Sequence, residues 1–246
     1  MVLMHEIGDK SVDAIICDLP YGTTPCEWDN AIPMDMLWDE YKRIIKPNGS
    51  IVLFCQQPFT TKLIASNMGM WKYNWIWVKD NGTNFLNSHY QPLKTTEDIA
   101  VFGFAAAAPT KGMSMTYNPQ INIDVGKSYV RRTGNRSRTS VIRNMKGTND
   151  KDRVNDGSRY PTNILCFTRD KERIHPTQKP VDLLRYLVLT HTNEGDLVLD
   201  NCMGIGSTII ACIREKRHYI GMELDDKWFD IAEKRICNEK NHPKLF

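Results

Sequence analysis

The sequence lacks the features of membrane, secreted and zinc-binding proteins. Its longest apolar candidate, residues 183–189, contains Arg185 and is too short to cross a bilayer. The N-terminus MVLMHEIGDK lacks the basic start and apolar core of a secretion signal. The seven cysteines form no Cys-x-x-Cys pair, and an odd, scattered set fits reduced thiols better than disulfides or a metal site. We therefore predict a cytoplasmic protein with no membrane association and no metal centre.

A large net charge is also absent, but the charge is unevenly distributed. The whole chain of 246 residues carries +3, yet residues 105–160 hold eleven Lys and Arg against four Asp, a net charge of +7 that leaves −4 elsewhere. This segment is rich in Ser, Thr, Asn and Gly and has no helix or strand period. It predicts either an insert that binds a polyanion or a solvated loop. We divide the chain into residues 1–104, an insert at 105–160, and residues 161–246.

Outside the insert, strand patterns alternate with helix patterns. Residues 12–18 and 50–55 have the apolar composition of buried strands, and a helix that Pro33 opens and Pro47-Asn48-Gly49 stops lies between them. Further strands are predicted at 73–78, 98–102, 163–167, 197–200 and 219–223, and further helices at 58–68, 181–192, 207–215 and 226–238. This alternation predicts the α/β class, with a doubly wound, mostly parallel sheet.

A glycine turn follows the predicted strand at 197–200. Gly204 and Gly206 let the backbone approach a ligand closely, and the helix that follows offers free N–H groups. Asp200 at the strand tip can accept from a ligand amino group, and Glu223, at the end of the next strand, can accept from both hydroxyls of a ribose. The turn lacks the third glycine of a dinucleotide-binding motif. It favours a ligand that contains a nucleoside, without separating NAD from S-adenosylmethionine.

A second polar motif, Asp18-Leu19-Pro20-Tyr21, lies at the tip of the N-terminal strand. Its chemistry suits methylation of an aromatic amine, whose nitrogen lone pair is delocalised into the ring. Asp18 and the Pro20 carbonyl can each accept one N–H and so expose that lone pair, and Tyr21 can stack on an extruded base. A plain strand-to-turn junction is the alternative for these four residues taken alone.

Three motifs in one order resemble those of amino-methylating DNA methyltransferases. Asp18-Leu19-Pro20-Tyr21 resembles their D-P-P-Y motif, and the segment D-N-C-M-G-I-G-S-T at 200–208 resembles their cofactor motif D-P-F-M-G-S-G-T-T. The segment H-P-T-Q-K-P at 175–180 matches the one that precedes the cofactor motif by a helix. The permuted order, catalytic motif before cofactor motif, resembles the beta group. The stretches SVDAIICDLPYGTTPCEWD and IVLFCQQPFTTKLI look especially similar to adenine-specific enzymes of phages and prophages.

The resemblance implies an S-adenosylmethionine-dependent methyltransferase fold, S-adenosylmethionine as cofactor and double-stranded DNA as substrate. It implies that the catalytic residues are Asp18, Pro20 and Tyr21. It implies that the cofactor is bound by Asp200, Cys202, Gly204, Gly206, Ser207, Thr208, Glu223, Thr177 and Lys179. For Lys179, contact with the cofactor carboxylate and simple exposure to solvent are both considered. Trp28 and Asp29 are expected to shape the loop over the base.

The same resemblance makes the basic insert the target-recognition region. Arginine suits phosphate contacts and guanine edges, so the expected DNA-binding residues are Arg131, Arg132, Arg136, Arg138 and Arg143.

This sequence departs from the family pattern at three points. Asn201 and Cys202 replace Pro and Phe of the cofactor motif, and Leu19 replaces the first Pro of the catalytic motif. Family members also carry a strand ending in Gly-Asp before the point where this chain begins. We therefore expect an unpaired sheet edge beside residues 219–223, with weak cofactor binding or a partner covering the edge. A homodimer and a cognate restriction endonuclease are left open as partners.

Three other functions compete with N6-adenine methylation. N4-cytosine methylation uses the same motif, because both bases present an amino group beside a ring nitrogen. A nucleotide-dependent oxidoreductase needs neither the catalytic motif nor the insert. A catalytically impaired, DNA-binding relative is consistent with the short N-terminus and not with the intact Asp18, Glu223 and glycine turn.

Overall fold

The computed structural model describes residues 2–22, 32–108, 111–121, 129–131, 153–172, 174–175 and 177–241, the backbone alone being described at 2, 129–131 and 153–155. After a short 3-10 helix, Val2–Glu6, the strands are β1 Val12–Asp18, β2 Ile45–Cys55, β3 Trp71–Thr83, β4 Lys94–Phe102, β5 Tyr129–Arg131, β6 Arg153–Asn155, β7 Ile164–Cys166, β8 Leu197–Asp200 and β9 His218–Gly221. The helices are α1 Met34–Ile44, α2 Phe59–Ser66, α3 Val181–His191, α4 Ser207–Arg214 and α5 Asp226–Asn241, and a second 3-10 turn covers Phe85–Asn87.

Seven of the strands form one sheet in the order β7-β3-β4-β2-β1-β8-β9. Every neighbouring pair is parallel except β2 with β4 and β3 with β4, so β4 alone runs against the rest. The predicted mostly parallel α/β sheet is confirmed. The direction of β4 agrees with its connection to β3, because residues 84–93 are fewer than the dozen or so that a crossover between parallel strands needs.

The alternating side chains of β1 explain why both sheet faces are covered. Ile15 and Cys17 pack into a core with α1 and α2, whereas Ala14 and Ile16 pack into a second core with α3 and α4. All four of these side chains are fully buried. A strand buried on both faces has a nearly continuous apolar sequence, which is the pattern seen at residues 12–17.

Several predicted boundaries are wrong. The strand predicted at 73–78 covers Trp71–Thr83, and the strand predicted at 219–223 ends at Gly221. The prediction ended the first helix at Pro47-Asn48-Gly49, but α1 ends at Ile44 and β2 begins at Ile45 and includes those residues. β1 pairs Val12 with Ile45 and then Ala14 with Ser50, so a bulge in β2 accommodates the proline and the glycine. The strand predicted at 98–102 in fact begins at Lys94, because hydrogen bonding to β3 extends β4 through a polar segment.

Contacts divide the chain into two compact units. One comprises residues 1–118 with 163–246, and the other comprises residues 119–162, which contain the two-stranded sheet of β5 and β6. The composition of the sequence set the insert at 105–160 instead, and its target-recognition role stays a prediction.

In the sheet formed by the described strands, β9 lies at one end and pairs with β8. The expected weak cofactor binding or covering partner on this side stays a prediction. Within the described ranges, no helix is long and apolar enough to cross a membrane.

Candidate active site

The two predicted motifs end two neighbouring parallel strands. β1 ends at Asp18 and β8 ends at Asp200, and the pair is joined by Ala14 with Val198 and Ile15 with Leu199. The Asp13 carboxylate also accepts a 2.9 Å hydrogen bond from the Leu197 amide at the opposite end of β8. Because the carboxyl ends of parallel strands lie on the same side of the sheet, the two motifs lie close together there.

Asp18 has a partner on each carboxylate oxygen. The Tyr21 hydroxyl donates to Oδ1 at 2.9 Å, and the Lys179 ammonium lies 2.8 Å from Oδ2. A quarter of the Asp18 side chain remains exposed. An ionised carboxylate has about four acceptor positions, so Asp18 keeps capacity for a further donor.

Lys179 and Tyr21 both reach a second carboxylate, Glu97 on β4, which the sequence interpretation missed. Glu97 Oε1 lies 2.8 Å from Lys179 Nζ and accepts from the Tyr21 hydroxyl at 3.1 Å, while Oε2 lies 2.6 Å from Lys79 Nζ. We call Lys79, Glu97, Lys179 and Asp18 the charge row. An acid in the run EDIAVF could have been noticed, but the strand was predicted to start one residue later, at Asp98.

Burial and pairing act in opposite directions on the two carboxyl groups of the charge row. Burial raises the pKa of Asp18 above its ordinary value, and the nearby Lys179 limits the rise while Glu97 adds to it. Burial also acts to raise the pKa of Glu97, but Lys179 and Lys79 outweigh it and lower that pKa to about 2. Lys179 is buried as well, and the two carboxylates raise its pKa despite that burial. The alternative of simple exposure to solvent is therefore wrong for Lys179, and its contact with the cofactor stays a prediction.

Tyr21 and Pro20 complete the catalytic motif. The Tyr21 ring stacks on Phe59 with centroids 5.0 Å apart and planes 25° apart, so one ring face is covered. Pro20 is partly exposed. Within the described part of the chain, no hydrogen bond reaches its carbonyl oxygen. The motif therefore offers the Pro20 carbonyl oxygen, the Asp18 carboxylate and the Tyr21 hydroxyl as hydrogen-bonding groups.

The glycine turn adopts a conformation that favours glycine at both positions. Gly204 has φ of 52° and Gly206, the N-cap of α4, has φ of 76°. A Cβ on Gly204 would meet no atom within 4 Å, whereas one on Gly206 would lie 3.3 Å from the side chains of Ala232 and Ile236. Gly206 is thus required by packing against α5, and the open space at Gly204 allows a ligand to approach the backbone.

Glu223 follows β9 and holds this turn. Its Oε2 accepts from the Gly204 amide at 2.8 Å, and its Oε1 accepts from the amides of Leu224 at 2.9 Å and Asp225 at 3.0 Å. The side chain is partly exposed, so the carboxylate reaches the surface of the site. It satisfies backbone donors and keeps lone pairs for hydroxyl groups of a ligand.

Asp200 is buried behind the turn, with 3% of its surface exposed. Its Oδ1 accepts from the Cys202 amide at 3.1 Å, and Thr208 and Cys17 also hydrogen bond to its carboxylate. Burial raises its pKa to about 6, against the lowering effect of these hydrogen bonds. Asp200 therefore stabilises the turn from within while it adds negative charge beneath it.

The remaining predicted cofactor residues surround the same turn. Cys202 is partly exposed, and Ser207 and Thr208 are buried in the first turn of α4. Thr177 is exposed and hydrogen bonds to His175 Nδ1 at 2.9 Å, and the His175 ring lies edge-on to Trp228 of α5 with centroids 4.4 Å apart. The segment before α3 thus contacts α5 beside Glu223.

Several predicted residues fall outside this description. Arg132, Arg136, Arg138, Arg143, Trp28 and Asp29 lie outside the described residues, and the Arg131 side chain is not described. Among the residues that are described, no group of three or more His, Cys, Asp or Glu side chains is placed to hold a metal ion.

Comparison with known proteins identifies the family and the fold. The sequence profile of the N6/N4 methyltransferase family, described as DNA methylase, matches residues 12–234, from the start of β1 into α5. The chain belongs to this DNA methylase family. Membership excludes the nucleotide-dependent oxidoreductase considered above, because the family's matched region contains both motifs.

Curated relatives of this DNA methylase come from bacteria. Type II methyltransferase M.HpaI of Haemophilus parainfluenzae is 27% identical over 97% of this chain and 72% of its own length. Type II methyltransferase M1.MboII of Moraxella bovis is 25% identical over 93% of this chain and 90% of its own.

Solved structures share the fold. The M1.HpyAVI–SAM complex superimposes with a TM-score of 0.59 at 25% identity, covering 95% of this chain and 92% of its own. The cytosine-N4-specific PvuII DNA methyltransferase gives a TM-score of 0.62 over 97% of this chain and 88% of its own, but at 13% identity it supports the fold alone.

Proposed function

We propose that this DNA methylase transfers a methyl group from S-adenosylmethionine to the N6 amino group of adenine at specific sites in double-stranded DNA. The observation that carries the proposal is the adjacency of β1 and β8, which brings the Asp18 carboxylate and the glycine turn to one edge of the sheet. A group acting on the target amine and a group holding the methyl donor are thereby adjacent, which in-line transfer requires.

The residues around the turn fit S-adenosylmethionine. Glu223 can accept from ribose hydroxyls, because its side chain is partly exposed in the segment that follows β9. The space at Gly204 allows close approach, and the negative charge of Asp200 suits an ammonium group. Cys202, Gly206, Ser207, Thr208 and Thr177 complete the proposed binding set. When bound, S-adenosylmethionine supplies an electrophilic methyl group on a sulfonium.

The residues of the catalytic motif act on the target base. Asp18 accepts one N–H of the amine and the Pro20 carbonyl accepts the other, so the nitrogen lone pair is exposed to the methyl group. The base must leave the duplex to reach this edge of the sheet. Tyr21 contributes its hydroxyl to Asp18 and the ring face opposite Phe59 to the base.

Adenine is preferred over cytosine because the Asp-initiated motif resembles that of adenine-specific members. We place the chain in the permuted beta group, in the branch resembling phage and prophage enzymes, since the catalytic motif precedes the cofactor motif. Residues 105–160 then recognise the DNA sequence. The arginines at 131, 132, 136, 138 and 143 supply its phosphate and guanine contacts.

The test is incubation of the protein with labelled S-adenosylmethionine and mixed-sequence duplex DNA, followed by digestion and separation of the nucleosides. Label in N6-methyldeoxyadenosine supports the proposal, and label in N4-methyldeoxycytidine replaces it with the cytosine alternative. Label that persists in Asp18→Ala excludes the assigned motif. No label in either nucleoside leaves the catalytically impaired DNA-binding relative as the function.

A further inference from the structure

The charge row joins the catalytic Asp18 to the interior of the protein. Lys79 pairs with Glu97 at 2.6 Å, Glu97 with Lys179 at 2.8 Å, and Lys179 with Asp18 at 2.8 Å. Cations and carboxylates alternate, so the row carries no net charge. A buried ion is tolerated when it is paired and hydrogen bonded in this way.

The row follows the order of strands in the sheet. Lys79 lies on β3, Glu97 on β4 and Asp18 on β1, and β2 lies between the last two strands. The Lys179 ammonium crosses that gap, 5.1 Å from the centroid of the Phe54 ring, and Phe54 is the register partner of Asp18. The sheet therefore fixes both carboxylates, and Lys179 reaches them from the loop before α3.

Side-chain exposure distinguishes Asp18 from the inner members of the row. The side chain of Glu97 is 6% exposed and that of Lys179 is 10% exposed, whereas that of Asp18 is 25% exposed. A substrate therefore meets Asp18, and the other members act through it.

The partners of Lys179 give it a role different from cofactor binding. Its ammonium has three donors and is already engaged with Asp18 and Glu97. Without this cation, the carboxylates of Asp18 and Glu97 would share a buried site, and two such groups compete for a proton. Protonated Asp18 would lose acceptor capacity for the amine.

We propose that Lys179 and Glu97 are positioning residues for the methyl transfer proposed above, on which this inference rests: Glu97 anchors the Lys179 ammonium, and that ammonium holds the Asp18 carboxylate ionised and in one orientation. Tyr21, hydrogen bonded to both carboxylates, is the further polar contact of the row.

Other titratable groups also face Asp18. The Tyr21 hydroxyl touches it directly, the Asp200 carboxylate on β8 repels it when both are ionised, and the Cys17 thiol, whose pKa is raised by burial, lies near it on β1. Of these groups, only Tyr21 also contacts Glu97, and Glu97→Gln keeps a side-chain oxygen that can accept from its hydroxyl. A difference between variants therefore reports on the charge row.

The experiment compares the variants Lys179→Met, Lys179→Arg and Glu97→Gln with the wild-type protein. Single-turnover transfer from labelled S-adenosylmethionine to mixed-sequence duplex DNA is measured from pH 5 to pH 9. On the acid side of the profile, which we call the acid limb, the rate falls as Asp18 is protonated. In Lys179→Met the midpoint of this limb should rise by about one pH unit or more, because Asp18 loses the attraction of the Lys179 charge. Glu97→Gln should move it downward, because a repulsive charge is lost. Lys179→Arg should restore the wild-type limb in large part.

Opposite shifts are the deciding result, since a merely structural role would lower the rate in both variants without moving the limb. Exposed Lys62→Met on α2 is the matched control and should keep the wild-type profile. If Lys179→Met weakens S-adenosylmethionine binding ten-fold or more in calorimetry and leaves the acid limb in place, Lys179 binds the cofactor and the inference is overturned. If Lys179→Met does not fold, the other two variants decide. A lowered acid limb in Glu97→Gln together with a nearly wild-type limb in Lys179→Arg supports the inference, and an unmoved limb in Glu97→Gln overturns it.

A second readout separates this inference from the proposed function. Carbon-13 labelling of aspartate carboxyls, with Asp18→Asn to assign the signal, gives the titration of Asp18 directly. A wild-type protein that transfers no methyl group refutes the proposed function, yet the carboxyl titration still tests the charge row. Unchanged titration of Asp18 in Lys179→Met and in Glu97→Gln overturns the inference, whatever the activity.

Discussion

The backbone amide of Gly204 donates a 2.8 Å hydrogen bond to Oε2 of Glu223. The acid assigned to the ribose and the turn assigned to the rest of the cofactor are therefore one structural unit. A change at Glu223 acts on both the direct contact and the shape of the turn. The Asp18 carboxylate belongs to a different strand and a different set of partners.

Substitution should separate these two acids by function. Glu223→Ala should raise the Kd for S-adenosylmethionine ten-fold or more, because it removes charged acceptors from the ligand and from the Gly204 amide. Asp18→Ala should abolish transfer and leave that Kd within a few-fold. Calorimetry and single-turnover rates measure the two effects. Exposed Glu233→Ala on α5 is the control, and a normal rate with a lost cofactor affinity in Asp18→Ala would reverse the assignment.

Three glycines with positive φ should respond differently to alanine. Gly195, Gly204 and Gly206 have φ of 83°, 52° and 76°, so each alanine costs roughly 1 kcal/mol in backbone strain. Gly206→Ala should cost more, because its Cβ would lie 3.3 Å from Ala232 and Ile236.

Gly204→Ala should lower the stability about as much as Gly195→Ala and should alone weaken cofactor binding, because its Cβ enters the space at the turn. Urea unfolding and calorimetry measure the two effects. Equal cofactor affinity in Gly195→Ala and Gly204→Ala would show that the ligand does not approach Gly204.

Asp200 should make the protein without cofactor less stable as the pH rises. Its pKa of about 6 in the folded state exceeds the ordinary 3.8, so the folded state binds the proton more tightly. Stability from this group is therefore present below pH 3.8 and is lost as the pH rises through about 6. Asp200→Asn should remove this dependence, so its stability relative to the wild type should rise by about 2 kcal/mol from pH 4 to pH 7.

Urea unfolding at a series of pH values tests this prediction. Glu97 has the opposite effect, because its pKa is lowered from 4.5 to about 2 in the folded state. Its contribution to stability is complete above pH 4.5 and is lost as the pH falls from 4.5 toward 2. A constant difference between Asp200→Asn and the wild type from pH 4 to pH 7 would contradict the assigned pKa shift.

DNA binding should weaken steeply with salt, with most of the slope arising from the insert. Each phosphate contact contributes roughly 0.9 to the slope of log affinity against log salt. Replacing Arg131, Arg132, Arg136 and Arg138 together by Gln should flatten the slope by that amount for every one of the four arginines that binds a phosphate. Fluorescence anisotropy at several salt concentrations measures it, and an unchanged slope would place the DNA elsewhere on the protein.

Much of the fold, and the placement of Asp18 and Asp200 at strand ends, could be predicted because both depend on local sequence patterns. The apolar run before Asp18 and the glycine turn after Asp200 each have a short sequence pattern that predicts a strand ending at a loop. Glu97 and Lys79 belong to no such pattern. Each lies just outside the predicted apolar strand, where a charged side chain normally faces solvent. Their role depends on β4 extending to Lys94 and on Lys179 arriving from a distant segment, and both are tertiary effects.

The β2 boundary shows the same limit. Pro47 and Gly49 favour a chain turn, yet β1 pairs with Ile45 and then with Ser50, so both residues lie inside β2 in the irregular stretch between these two pairs. The conformation of residues 45–49 is thus set by neighbours whose identity the local sequence does not encode.

The pairing of β1 with β8 also dictates an order of assembly. Asp13 and Leu197, which hydrogen bond at the start of these strands, are 184 residues apart in the chain. During synthesis, β1 can pair with β2 within the first 55 residues, but its other edge stays open until β8 has left the ribosome. β1 and β2 can therefore pair early, whereas Lys179 and the glycine turn after β8 can reach Asp18 only much later in synthesis.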